Sequence, residues 1–316
     1  MTLRRFAFLF IALAVIASAA DAQMAGTAGS FARLGFGARG MGMANAMTAV
    51  TTSEIAGYYN PAATPFQRSR TALISYGVLS LDRSLNMLTY SQPIKPNAGI
   101  AVSIINAGVT KIDGRDADGY QTEDLSTSEN QFSLSFGLRP SPKVAIGFTP
   151  KIYYAKLYHG VTSSSFGVDL GAVYSANERL TIAIAVRDVM SKYKWDTSQL
   201  YGENGNTTTD KFPIRQVFGA AYVIGDGTAL VSAEIETSNK STTIIRMGGE
   251  LALAEQFTIR AGLGNWNLKD AKQAAPTFGF TARTTMGSIQ PALHYAYVIE
   301  PYNYFAMHII SLSASF

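Results

Sequence analysis

The 316-residue sequence predicts an all-β fold: a transmembrane antiparallel β-barrel of about 14 strands with an N-terminal plug or hatch segment in its lumen. Three observations predict it. The first is a period of two at the end of the chain, where Ile310, Leu312, Ala314 and Phe316 are apolar while Ser311, Ser313 and Ser315 are serine. Such a strand offers one face to lipid and the other to a wet lumen. The second is the return of that pattern in block after block from Thr71 onward. The third is a sorting of connections by length, with tight turns alternating with longer loops, as short periplasmic turns and long extracellular loops do in bacterial barrels.

The elements follow in order. Arg4 and Arg5, an apolar run from Phe6 to Ala17 and the small-x-small site Ala20-Asp21-Ala22 read as a signal peptide over 1–22, the run being too short to span a bilayer. Residues 23–70 are rich in Gly, Ala and Met, do not alternate, and read as the plug. Residues 71–316 read as the barrel, with strands near 71–80, 84–93, 98–112, 130–139, 143–157, 164–175, 179–192, 212–224, 228–237, 242–253, 256–266, 275–285, 288–298 and 304–316. The alternation is plainest at Phe132/Leu134/Phe136/Leu138, Phe166/Val168/Leu170, Leu180/Ile182/Ile184/Val186 and Phe257/Ile259/Ala261/Leu263. Every second connection is tight, at 94–97, 139–143, 175–178, 225–227, 254–255 and 286–287; the long ones fall between them, at 113–129, 193–211 and 267–274. A soluble sandwich or propeller has no reason to sort its loops this way.

With apolar positions toward lipid, the lumen receives Asp169, Arg187, Glu234, Glu236, Arg246, Glu250, Arg260 and Arg283. Tyr90, Tyr158, Tyr174, Tyr193, Trp195, Trp266, Tyr302 and Tyr304, near strand ends, are expected at the membrane interfaces. The alternation of the third strand slips phase at Asn106, Ala107 and Gly108, where a bulge or a gap in the wall is expected. Only 15% of residues are charged, and without the signal peptide 24 basic and 21 acidic residues leave a net charge of +3. That balance, with export, argues against nucleic acid as a partner. With 0 cysteines there are no disulfides and no thiol chemistry.

The plug carries the run Gly29-Ser-Phe-x-Arg33-Leu-Gly35-x-Gly37-Ala-Arg39-x-Met-Gly42-Met-x-Asn-Ala46, then Tyr58-Tyr-Asn60-Pro61-Ala62. Gly35-x-Gly37-x-x-Gly40 matches a dinucleotide fingerprint by letter, with Glu54 as a ribose acid, but no strand precedes it and no βαβ unit follows. The glycines, Gly42 included, instead suit a segment passing close to a wall. Asn60 and Pro61 are expected to turn the chain before the first strand. Arg33 and Arg39 are expected to pair with Asp169, Glu234 and Glu236.

These two motifs resemble the N-terminal signature of the PorV/PorQ family, itself similar to FadL-type hydrophobic-compound transporters with their Asn-Pro-Ala hatch. The resemblance implies a 14-stranded barrel with the hatch inside, serving either as a conduit for a small hydrophobic compound or as an accessory that docks exported proteins in type IX secretion. A wall protein without cargo is the third possibility.

Chemistry is sparse. His159, His294 and His308 lack metal-site spacing, no Gly-x-Ser-x-Gly elbow occurs, and the acidic stretch 113–129 misses the calcium-loop pattern, with Gly114 and Leu125 at its first and twelfth positions. The expectation is a non-enzymatic protein of a Gram-negative outer membrane, without cofactor. Its partners would be outer-membrane lipid, the barrel assembly machinery through the strand ending in Phe316, and a hydrophobic small molecule or exported proteins.

Overall fold

A computed structural model describes residues 26–157, 160–266, 274–300 and 305–316. The expected signal peptide and the interface candidates Tyr158, Tyr302 and Tyr304 lie outside the described residues. Fourteen strands form the wall. Its first half is β1 (Thr71–Val78), β2 (Arg83–Ile94), β3 (Ala98–Arg115), β4 (Gln121–Ser141), β5 (Val144–Lys156), β6 (Thr162–Ser175) and β7 (Leu180–Val189). A two-stranded hairpin, β8 (Lys192–Asp196) and β9 (Thr207–Lys211), then interrupts the wall. The second half is β10 (Arg215–Ile224), β11 (Ala229–Ser238), β12 (Thr243–Ala254), β13 (Phe257–Trp266), β14 (Ala275–Arg283), β15 (Gln290–Val298) and β16 (Met307–Ser315).

Each wall strand pairs antiparallel with its neighbours, β7 pairs with β10 across the hairpin, and β16 returns to β1 from Thr71↔Ser315 to Val78↔His308. Closure leaves the wall without an edge, which a membrane demands because lipid offers no partner to a free amide. The period of two decides the faces. Ile74, Leu88, Phe132, Phe148, Leu170 and Leu312 point outward and are 46–57% exposed, while Ser75, Thr89, Ser133, Thr149, Asp169 and Ser311 on the same strands are buried inside. A closed barrel with an apolar outer band is an outer-membrane protein of a Gram-negative bacterium, and its tight-turn end faces the periplasm.

Two expected loops are partly strand. Residues 113–129 do not form a loop: β3 and β4 run on past the wall as a hairpin, pairing Ile112↔Leu125, Asp113↔Asp124 and Arg115↔Gln121. Above the lipid a strand needs no apolar face, so alternation fades while pairing continues. The acidic side chains serve this hairpin, Asp113 Oδ2 accepting from Arg115 and Asp116 Oδ1 accepting the amides of Asp118 and Tyr120. Within 193–211, β8 and β9 fold back over the barrel. Tyr193 therefore leaves the expected interfacial belt: it is buried, its ring meets Phe212 edge-on at 4.8 Å, and its hydroxyl donates to Glu129 at 2.9 Å.

The bulge expected at Asn106, Ala107 and Gly108 is absent. β3 pairs without a register shift from Ala98 to Val109 on both sides, and irregularity starts only between Val109 and Ile112. The apparent slip is a change of chemistry on one face. Asn106 stands on the outer face opposite Asn86 and Asn130, and the three amides link into a row: Asn86 donates to Asn106 at 3.2 Å and Asn106 to Asn130 at 2.8 Å.

The N-terminal segment lies inside this wall. It carries the short helical turns α1 (Ser30–Arg33, 3-10), α2 (Ala38–Gly42), α3 (Ala56–Tyr59) and α4 (Pro61–Phe66, 3-10), and from these turns and the stretches between them it contributes Phe31, Phe36, Met41, Met43, Met47, Ile55 and Tyr59 to the core, each at most 3% exposed. Turns this short are not stable helices on their own; contact with the wall holds them.

Candidate functional site

Asn60 is the hinge of the inner segment. Its Oδ1 accepts the amide of Ala62 at 3.0 Å, capping α4, while its amide donates to Thr48 O at 3.0 Å and reaches Ala172 O and Ile184 O on the wall at 3.4 Å. Pro61 fills the first position of α4, where a missing N–H costs nothing. The wall makes room for Pro61 and Ala62 with a feature that the sequence reading missed. Gly99, Gly137, Gly147 and Gly171 sit directly opposite one another across β3 to β6. A Cβ at Gly147 would lie 2.5 Å from Pro61 C, and one at Gly171 would lie 2.0 Å from Asn60 Oδ1. The available signal was positional: each of the four glycines lies within a few residues of a tight periplasmic turn.

Inside the segment, Gly35 adopts φ +93° against the Asn45 side chain, and Gly40 lets Tyr59 approach so closely that a Cβ would meet its hydroxyl at 2.3 Å. Gly37 and Gly42 also lie at close approaches, to Ile55 and to Gly279.

The luminal charges form a linked arc over β5 to β12. Lys151 bridges Asp169 (2.6 Å) and Asp188 (3.0 Å), Arg215 bridges Asp188 (2.7 Å) and Glu236 (3.4 Å), and Arg246 bridges Glu236 and Glu234 (3.1 Å each). All are nearly fully buried, so each charge requires its neighbours. Lys151, Asp188 and Arg215 were not singled out from sequence, because their strands read as ordinary alternation. Arg187 joins the arc to the inner segment, donating to Tyr59 O and to Thr48 Oγ1.

The expected partners of Arg33 and Arg39 are corrected here. Asp169, Glu234 and Glu236 are met by wall cations from adjacent strands. Arg39 instead pairs with Glu250 at 2.5 Å and Glu54 at 3.5 Å, with Arg260 closing on Glu250 at 3.0 Å. Burial is the strongest influence on Glu54 and opposes its charge, yet Arg39, with smaller help from His294, Arg260 and a backbone hydrogen bond, holds that carboxyl below its ordinary range. Arg33 donates to Ala28 O at 2.8 Å and to Thr27 O and Oγ1 at 3.1 and 2.9 Å. Arg283 donates to Thr258 Oγ1 at 3.1 Å.

Across from the arc, on β14 to β16 and β1 to β3, the inward side chains Thr277, Ala296, Val298, Ile309, Leu73, Met87 and Ile105 are uncharged and buried, while Arg283 and Arg83 stand at strand ends. On this side, at the extracellular end, a vestibule of about 530 Å³ separates the inner segment from the wall. Its apolar lining is Leu34, Met41, Leu81, Val298, Ile299 and Met307. Two arginines border it, and both are engaged: Arg33 as above, Arg83 with Ser80 and with Glu300 at 3.1 Å. The volume falls in the range of small-molecule sites, and both arginines at its border are already engaged by neighbouring groups.

Comparison with known proteins rests on structure. No protein-family model matches the sequence, and no curated protein sequence matches it. Among solved structures, the Pseudomonas putida toluene transporter TodX aligns with a TM-score of 0.62 at 12% identity, covering 89% of this chain and 96% of that one. The monoaromatic hydrocarbon channel CymD aligns at 0.64 and 12%, covering 89% and 97%. A Pseudomonas aeruginosa FadL homologue aligns at 0.60 and 12%, covering 88% and 97%. None of these is an enzyme. The chain therefore has the FadL-type fold, a 14-strand outer-membrane barrel matched over nearly its whole length.

Proposed function

We propose that the protein is a conduit through which a small hydrophobic compound crosses the outer membrane. The observation that carries this reading is the vestibule: a partly apolar space on the extracellular side, bounded on the inner segment by Leu34, Met41 and Ala44. A lumen filled by a packed segment and a buried ion-pair arc leaves no wide aqueous path, which speaks for a selective passage over a general pore. The structural likeness to a toluene transporter and a monoaromatic hydrocarbon channel supports the same reading. Docking of exported proteins, the second role implied by the N-terminal motifs, rests on those motifs alone.

The test is uptake of labelled toluene by intact cells whose outer membrane carries the protein, against cells without it. Faster uptake is expected, and Met41→Arg, which puts a cation on the vestibule floor, is expected to abolish the gain. Equal uptake with and without the protein, over a panel of monoaromatic compounds, would sink the conduit; a stoichiometric exported protein copurifying from the native membrane would favour docking.

A further inference from the structure

A second cavity, of about 420 Å³, lies at the periplasmic end of the lumen, apart from both the vestibule and the ion-pair arc. The inner segment contributes Arg39 and Glu54 to it, β12 contributes Glu250, β13 contributes Thr258 and Arg260, and Arg283 stands at the end of β14. A neighbouring hollow of about 450 Å³ shares Arg283 and Glu255 with it and is lined further by the exposed residues Thr284, Thr285 and Gln290, so the cavity reaches the periplasmic surface past Arg283.

Two shielded atoms of residues lining the cavity keep unused hydrogen-bonding capacity. Glu250 is fully engaged: its Oε1 accepts from Arg39 Nη2 at 2.5 Å, and its Oε2 accepts from Arg39 Nε at 3.1 Å and from Arg260 Nε at 3.0 Å. Arg260 Nη1 is left without a partner, on a side chain that is 1% exposed. Glu54 Oε2 is the complementary case: it lies 3.5 Å from Arg39 Nη1, paired in charge, yet it accepts no hydrogen bond. Buried polar groups are rarely left open in this way, so one cavity with a spare donor and a spare acceptor suits an occupant that accepts at one end and donates at the other.

Charge narrows the choice. Arg39, Arg260 and Arg283 face two buried carboxylates, Glu54 and Glu250; Arg283 donates to Thr258 Oγ1 at 3.1 Å and, among the described residues, has no carboxylate partner. Glu255 also borders the mouth, but it is exposed in the turn after β12, where water screens its charge. One positive charge is left over, which asks for an anion, and Glu54 asks for an anion that keeps a proton. At neutral pH carboxylates, sulfate and phosphodiesters carry none. Inorganic phosphate keeps at least one P–OH.

We infer that this cavity is a binding site for inorganic phosphate at the periplasmic mouth, with phosphate oxygens accepting from Arg260 Nη1 and from the Arg283 guanidinium, and the P–OH donating to Glu54 Oε2. The site does not rest on the conduit reading and is tested without transport.

The test is a titration of inorganic phosphate into the full chain in maltoside micelles at fixed ionic strength, followed by phosphorus NMR line broadening, with sulfate and dihexanoyl phosphatidylglycerol as competitors. Saturable broadening is expected, with phosphate favoured over sulfate by about tenfold or more, the worth of a hydrogen bond to a charged group. Arg283→Gln is expected to weaken binding about tenfold. Glu255→Gln, which removes negative charge from the rim, is expected to tighten it by roughly twofold to threefold. Glu54→Gln, whose amide can donate, is expected to erase the preference over sulfate. Absence of saturable binding would mean that the cavity holds water alone, and would overturn the proposal. Sulfate or the phospholipid competing as well as phosphate would show that no ligand proton is required, and unchanged binding in both Arg283→Gln and Glu54→Gln would put the phosphate elsewhere; either result sinks the assignment. Should Glu54→Gln fail to give a heat-modifiable barrel, Arg283→Gln and Glu255→Gln decide, because the site requires them to shift affinity in opposite directions.

Discussion

Asp188 is the residue on which the luminal charges converge. Its Oδ1 accepts from Lys151 at 3.0 Å and Tyr153 at 2.6 Å, its Oδ2 accepts from Arg215 at 2.7 Å, and its amide donates to Asp169 at 2.9 Å. It also sits at φ +62°, a conformation asparagine tolerates as well as aspartate does. Asp188→Asn therefore removes charge without straining the backbone and leaves two buried cations short of an anion. The expected cost is about 3–5 kcal/mol, read as a lower transition temperature in heat-modifiability gels; an unchanged transition would show that the arc is not a stability element. A matched pair of substitutions separates the two faces of the wall. Gly137→Ala places a Cβ 2.5 Å from Thr64 Oγ1 and 2.6 Å from Pro61 O, and is expected to loosen α4 and expose it to protease. Gly249→Ala, whose nearest neighbour is 3.5 Å away, is expected to stay within about 0.5 kcal/mol of the parent.

At the scale of elements, the 14 wall strands were legible because lipid enforces one rule along each of them, apolar outward at every second residue. Where that rule stops, legibility stops. The β3–β4 hairpin above Val109, the β8–β9 hairpin and the row of three asparagines all obey pairing without an apolar face, and their sequences read as loop, belt or bulge. Contacts of the inner segment were less legible still, because Arg39 chose Glu250 on β12 by position in space. Its tie to Glu54 predicts a pH response. Against the pull of burial, the strongest single influence, Arg39 together with His294, Arg260 and a backbone hydrogen bond holds the Glu54 carboxyl below its ordinary value of 4.5, so its contribution is present above that value and is lost as pH falls through the lower folded-state value. Protection factors of amides 53–56 in hydrogen exchange are expected to drop in that acid window, and Glu54→Gln is expected to flatten the response.

For the whole molecule, the interior divides into a half at β5 to β13 crossed by buried ion pairs and a half at β14 to β3 whose charges, Arg283 and Arg83, stand only at strand ends, and the inner segment is keyed to both. Deleting 26–66 removes the partners of Arg187 and the Arg39 partner of Glu250, and empties the lumen. If the wall still inserts, water must take the place of those partners, so planar-bilayer recordings are expected to show an ion-conducting state that the full-length chain lacks; a silent inserted barrel would mean that the wall alone closes the lumen. The rim, meanwhile, is uneven. The asparagine row Asn86–Asn106–Asn130 is polar on the outer face and so marks where lipid ends on that side, and seven residues of β3 continue from Val109 to Arg115 with their partners on β4. At about 3.3 Å per residue and a strand tilt near 45°, the nine residues beyond Asn106, up to Arg115, lift the hairpin roughly 20 Å above that line. That height carries its tip, Asp116 to Tyr120, out toward the sugar layer of the cell envelope, which makes this corner, among the described residues, a part that antibodies and bacteriophages would meet early.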